Sequence, residues 1–210
     1  MNTLGGLLRL LLPGDHRGDA KKDSKLSHPK DALQQRSVYL LLTKKVPAEI
    51  ALVIINEAEY WVKSSYAARS EPRGLQVNEH NSPTPYITSE PIEGQIQAIT
   101  FTITSHDQGW SSYPEDHGTY MNSWTWFEAG IVPPGEDEVS KAFEGSKRLA
   151  TNRHAVGEAQ THIVMVRKGE RPWLNEVVPG SKVVLEAHAR FGGWVNWVIE
   201  ARIDIYTSFL

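Results

Sequence analysis

From residue 86 onward the chain alternates apolar and polar positions. Ile99, Phe101 and Ile103 interleave with Thr100, Thr102 and Thr104, a period of two rich in β-branched side chains that predicts a strand over residues 97–105. Val183, Leu185, Ala187 and Ala189 oppose Lys182, Glu186, His188 and Arg190, and Ile199, Ala201, Ile203 and Ile205 oppose Glu200, Arg202, Asp204 and Tyr206. Residues 124–129 place Trp124, Trp126 and Glu128 on one face and Thr125, Phe127 and Ala129 on the other. Residues 148–152 and 160–167 read as two further strands around a turn near Gly157. Loops fall at 70–85 and 132–145, where proline and glycine cluster. Many short alternating strands with such turns predict an all-β fold, an antiparallel β-sandwich of the jelly-roll kind with one N-terminal helix packed on it.

That helix is expected over residues 46–62. Pro47 suits a first helical turn and Glu49 complements the helix dipole there. Ile50, Ile54, Ala58 and Trp61 then follow on one face, and Leu52 and Ile55 add apolar character elsewhere, so the helix reads as largely buried. The phrase VPAEIALVIINEAEYW resembles the opening helix of F-box-like segments in fungal proteins. Docking of a protein partner on this helix competes with the plainer reading of a helix packed against the end of a sheet.

The expected division is therefore a flexible leader and linker (1–37), a helical, F-box-like segment (38–68) and a sandwich domain (69–210). Residues 13–31 are too polar to bury enough apolar surface for folding, so His16 and His28 are expected in solvent. The apolar start, MNTLGGLLRLLL, lacks a basic first segment, carries Arg9 inside the apolar run and shows no small-residue cleavage site. It reads as a leader, with secretion or membrane contact as the other options, and the compartment expected is the cytoplasm. A formal charge of -3 argues against nucleic acid as a partner. The absence of cysteine excludes disulfides, thiolate catalysis and thiolate-bound zinc. A homodimer is neither required nor excluded.

Between two strand patterns lies SHDQGWSSYPEDHGTYMNSWTWFE, residues 105–128. Ordinary connections run about 4–6 residues, and longer ones are often functional. His106, Asp107, Glu115, Asp116 and His117 are of the types that bind metals, but no His-x-His or His-Glu-x-x-His spacing fixes a geometry. Hydrogen bonding within the loop is the simpler reading, and neither a metal nor any other cofactor is expected. Trp110, Tyr113, Tyr120, Trp124, Trp194 and Trp197, with Asn122 and Asn196 beside them in sequence, form the equipment for a neutral polar ligand: rings to stack on, amides to bond its edge. Trp126 and Phe127 are instead expected in the core. For acid–base chemistry the candidates are His117, Asp107 and His154. No nucleophile elbow, phosphate loop or dinucleotide fingerprint accompanies them.

Taken together, the Asp107–Trp110 turn, the Pro114–Tyr120 loop, the Ser123–Phe127 strand, Asn152–His154 and Gly193–Asn196 resemble an uncharacterised family of fungal sandwich domains that occur with F-box-like or ankyrin regions. The resemblance implies a galactose-binding-like jelly roll and no particular activity. The leading expectation is a sandwich that binds a small molecule or glycan in an aromatic pocket formed by residues 106–124 and 192–197. Two alternatives accompany it: a noncanonical biosynthetic enzyme, a cyclase or isomerase using the same pocket, and an F-box-like adaptor. Whether any reaction is catalysed stays open.

Overall fold

The computed structural model describes residues 27–70, 74–138 and 148–210. Most of the expected leader, residues 1–26, lies outside them. The chain divides into two compact units, residues 1–63 with 206–210, and residues 64–205.

Among its described residues the first unit contains two helices where the sequence suggests one. Helix α1 spans Ala32–Thr43, within what reads as linker and helical segment, and α2 spans Ala48–Glu57. Asp31 caps α1, its side chain accepting from the Gln34 amide at 2.8 Å. Gln35, Val38 and Leu42 then recur at intervals of three and four, and all three are buried. The polar composition of the preceding tract hides this short stripe, whose first member is itself polar. Gln35 is fully buried because the protein satisfies its amide: Nε2 donates to the Tyr60 carbonyl and Oε1 accepts from the Phe209 amide, each at 2.9 Å.

Helix α2 differs from expectation in length and in its buried face. It ends at Glu57, Glu59 adopts a left-handed φ of 48°, and strand β1 (Val62–Arg69) follows. The buried positions are Ala51, Ile54 and Ile55, while Ile50 and Val53 are exposed. A helix of ten residues with one covered stripe is thus amphipathic, not buried all round. Ala51, Ile54 and Ile55 join Val38, Leu42 and Tyr60 in a small core. His28, expected in solvent, is half-buried; its Nδ1 lies 3.2 Å from the Trp61 carbonyl and its ring tilts against Tyr206.

The second unit is an antiparallel β-sandwich. One sheet has the order β1-β9-β4-β7, with β2 also paired to β9; the other has the order β3-β8-β5-β6. The strands are β2 Leu75–Val77, β3 Thr84–Thr88, β4 Gln95–His106, β5 Thr125–Val132, β6 Arg148–Thr151, β7 Gln160–Arg167, β8 Lys182–Ala189 and β9 Asn196–Ser208. Strand β2 arises within the stretch read as loop, because a segment of three residues is too short to display a period, and β3 begins two residues before the strand signals expected from residue 86. Each residue pairing described along β4–β7, β5–β8, β5–β6, β3–β8 and β2–β9 is antiparallel.

Alternation decides what the sandwich buries. Ile99, Phe101 and Ile103 of β4, Phe127 and Ala129 of β5, Leu185 and Ala187 of β8, and Ile203 and Ile205 of β9 form one core with Trp173 and Leu174. Trp126 is buried too, but on the opposite side of β5 from Phe127, since neighbours along a strand face opposite ways. Its indole stacks on His188 at 5.1 Å, lies beneath the Arg148 guanidinium at 4.5 Å, and donates to Glu128 at 2.7 Å. Both aromatic residues are buried as expected; Phe127 belongs to the cluster between the sheets, whereas Trp126 packs outside it.

Truncating Phe127 to alanine should accordingly destabilise the protein by about 3–5 kcal/mol, as a large cavity opens in a close-packed interior. Urea unfolding of Phe127→Ala followed by tryptophan fluorescence measures this directly. A loss below about 1 kcal/mol would contradict the placement of Phe127 in the core.

Candidate functional site

Strand β4 ends at His106, and β5 begins at Thr125. The connecting loop is held from inside by groups that the sequence suggests as chemistry. Asp107 is fully buried. Its Oδ1 accepts from the Gly109 amide at 2.8 Å, and its Oδ2 accepts from the Ala155 amide at 2.5 Å. Burial raises the Asp107 pKa above the ordinary carboxylate value, although the amides of Gly109, Ala155 and Val156 and the nearby His154 pull the other way. Gly109, with φ of 82°, comes so near Gly157 that an added Cβ would sit 3.1 Å from the Gly157 Cα. Asp107 therefore clamps two glycine-bearing turns face to face.

His154 is also fully buried. Its backbone amide donates to the Thr119 carbonyl and its carbonyl accepts from the Gly118 amide, each at 2.8 Å. Ring Nδ1 donates to the Met121 carbonyl at 3.0 Å, while Nε2 is enclosed without a hydrogen-bond partner. His117 is exposed, and its Nε2 donates to the Ser111 carbonyl at 3.2 Å. The His117 and His154 rings lie 5.7 Å apart, but Asp107 and His117 make no hydrogen bond to each other. The three candidate acid–base residues thus sit near one another, and two of them are enclosed.

A second set of buried polar groups lies beneath the same loop. Ser105 donates to Asn152 Oδ1 at 2.7 Å. The Asn152 amide donates to Thr125 Oγ1 at 3.1 Å and to Asn196 Oδ1 at 2.9 Å. Asn196 in turn donates to the Trp126 and His188 carbonyls, each at 3.1 Å. Both N–H bonds of Asn196 are used inside the protein and the residue is fully buried, which corrects its expected place on a ligand surface. Asn122 is exposed, with a φ of 50°, and donates to the Asp116 carboxylate at 2.8 Å.

The aromatic residues divide differently. Trp110, Tyr113 and Tyr120 are 60%, 59% and 57% exposed. Trp124, Trp194 and Trp197 are half-buried and lean on neighbours: Trp124 edge-on to Phe191 at 4.8 Å, Trp194 edge-on to His154 at 4.9 Å, and Trp197 stacked on His106 at 5.9 Å. Residues 106–124 and 191–197 lie side by side. Gln108 joins them, its Nε2 donating to the Trp110 carbonyl at 2.8 Å and its Oε1 accepting from the Val195 amide at 3.2 Å. Gly193 (φ 88°) lets Trp110 approach, because an added Cβ would lie 3.3 Å from the indole. Sequence reasoning missed Gln108 and Asn152, whose only signal is a polar side chain next to an aromatic or β-rich stretch.

The aromatic residues thus form a crown of three exposed and three half-buried rings. Two concavities stand elsewhere. One, of about 370 Å³, is lined by Ala67, Thr102, Thr104 and Arg202 on the β1-β9-β4 sheet. The other, of about 460 Å³, lies between β6 and β7 and shares Tyr120 with the crown. Among the described residues no three His, Asp or Glu side chains converge as metal ligands, and no helix is long and apolar enough to cross a membrane.

No family model matches the chain, and no curated protein matches it by sequence. Among solved structures it is similar to the infectious bursal disease virus VP2 subviral particle, at 11% identity and a TM-score of 0.39 over 70% of this chain and 33% of that one. The Gt strain of the same virus gives 11% identity and 0.36 over 69% and 32%, and the Gx strain 10% and 0.34 over 70% and 30%. The chain spans about a third of the length of these structures.

Replacing Asp107 with alanine should cost about 1–3 kcal/mol at neutral pH, since it strips the acceptor from two backbone N–H groups in a buried setting. The pH profile carries a second signature. A folded pKa above the unfolded value means that this group's contribution to stability is complete below pH 3.8 and declines as pH rises through the folded value. Urea unfolding between pH 3.5 and 7 should find that decline in the parent protein and not in Asp107→Ala.

Proposed function

We propose that the aromatic end of the sandwich is a binding surface for a neutral polar ligand, with a carbohydrate as the preferred class. The observation that carries the reading is the exposure of Trp110, Tyr113 and Tyr120, each more than half accessible on a loop fastened by buried hydrogen bonds. Large rings in solvent are ordinarily unfavourable. Holding them in place keeps the entropy lost on binding small and offers flat apolar faces to the C–H face of a sugar ring. His117, Arg153 beside Tyr120 at 5.9 Å, and the Asn122–Asp116 pair supply polar edges for hydroxyl groups.

Binding is favoured over proton transfer by the state of the candidate acids and bases. A catalytic acid or base must reach the proton that it moves. Asp107 and His154 are enclosed and bonded to backbone groups, which suits positioning.

Trp110→Ala and Tyr113→Ala should each weaken saccharide binding at least tenfold and leave the melting temperature within a few degrees, because an exposed ring contributes little to folding. Titrating the purified protein with a panel of oligosaccharides, with tryptophan fluorescence and calorimetry as readouts, tests this. Absence of binding across neutral and acidic glycans at millimolar concentration would overturn the reading. So would conversion of a ligand that stops in His117→Ala.

A further inference from the structure

Strands β6 and β7 are the last strands of their sheets, so the sandwich has an open seam on that side. The cleft of about 460 Å³ between them is walled by Leu149, Ala150, Ile163 and Val164 and carries polar groups from Arg148, Thr151, His162 and Tyr120. We propose that this seam is a second binding site, selective for a small organic monocarboxylate with an apolar body.

Three observations place that chemistry here. Arg148 makes no ion pair with a described residue; its guanidinium lies over the Trp126 ring at 4.5 Å, and Glu128, opposite it in register, accepts from Trp126 Nε1. A planar guanidinium seated on an indole and lacking a carboxylate partner is prepared for a carboxylate from outside. Arg153 stands 5.9 Å from the ring of Tyr120, another lining residue, so a second cation neighbours the cleft without lining it.

His162 is the third. It pairs in register with Ile103 on β4, and its Nε2 is shielded from solvent without a hydrogen-bond partner. Burial lowers its pKa, which keeps the ring neutral at pH 7. A neutral imidazole adds no second buried charge beside the cleft, and its Nε2 proton can reach an anion once the side chains that shield it shift. The apolar wall supplied by Leu149 and Val164 continues into the sandwich core, so the body of the ligand points inward and its carboxylate meets Arg148 at the rim.

The site shares Tyr120 and its neighbour Arg153 with the crown, and the experiment keeps the two apart. Isotope-labelled protein is titrated with hexanoate and phenylacetate, and with the matching primary amides, while backbone amide shifts are followed. The expected result is saturable shifts confined to residues 148–151 and 161–164, with the amides binding at least tenfold more weakly. Arg148 is exposed, so Arg148→Gln should fold normally and weaken carboxylate binding about tenfold or more. His162→Phe should also weaken it, and Trp110→Ala should leave it unchanged. The proposal is overturned by shifts centred on residues 110–113, by equal affinity for acid and amide, by an Arg148→Gln variant that binds as well as the parent, or by no saturation at millimolar concentration.

Discussion

The structure depends on a chain of buried amide hydrogen bonds running between the two sheets. Ser105 is the next-to-last residue of β4 and Asn196 opens β9, in one sheet; Thr125 opens β5 and Asn152 follows β6, in the other. The Ser105–Asn152–Asn196 chain, with its branches to Thr125 and to the Trp126 and His188 carbonyls, joins these four strand ends and β8. Inside a protein such bonds are strong when complete, and each broken member leaves a desolvated partner. Hydrophobic packing alone brings two sheets together without fixing their register. A connected set of amides at one end does fix it, since Asn152 must meet three partners at once.

That lock lies at the end of the sandwich from which the long loop rises. Asp107 follows Ser105 by two residues and clamps Gly109 to the turn at Ala155, which itself follows Asn152 by three. His154 fastens the far side of the same loop through Thr119, Gly118 and Met121. The loop has scarcely any regular structure, a single 3₁₀ turn at Pro114–Asp116, yet its polar interior is tied down at several points. Exposed tryptophan and tyrosine are therefore presented from a rigid base rather than from a tether.

Much of the sandwich was legible in the sequence because strands with one covered face declare themselves by period. Residues 97–105 became β4, residues 182–190 became β8 and residues 199–206 became β9, each within a few residues of its observed limits. Period says that two faces differ; it does not say which one is the inner face when both carry large side chains. At Trp126 and Phe127 the two faces compete, and the neighbours decide: Ala187 lies opposite Phe127, His188 opposite Trp126. Helix α1 escaped notice because its buried stripe starts with Gln35, whose burial is understandable only once Tyr60 and Phe209 stand beside it. Strand β2 escaped because three residues are fewer than a period needs.

The candidate site was legible as a location and not as a set of roles. Residue type marked Asp107, His154 and Asn196 as chemistry, on the general ground that titratable and amide side chains in a long aromatic loop bind or react. Type does not reveal burial. A carboxylate that accepts two backbone amides and an asparagine that donates to two carbonyls have the same letters as a catalytic acid and a ligand contact. The discriminating signal was local: Asp107 stands two residues before Gly109, the spacing at which an aspartate side chain bonds its own backbone in a turn. The exposed rings of Trp110, Tyr113 and Tyr120 carry more than half of their surface to solvent, although Trp110 packs near Gly193 and Tyr120 lies under Arg153. Buried polar residues beneath and exposed aromatic residues above are two halves of one arrangement, because the same hydrogen bonds that bury Asp107 and His154 fix the backbone from which Trp110, Tyr113 and Tyr120 project.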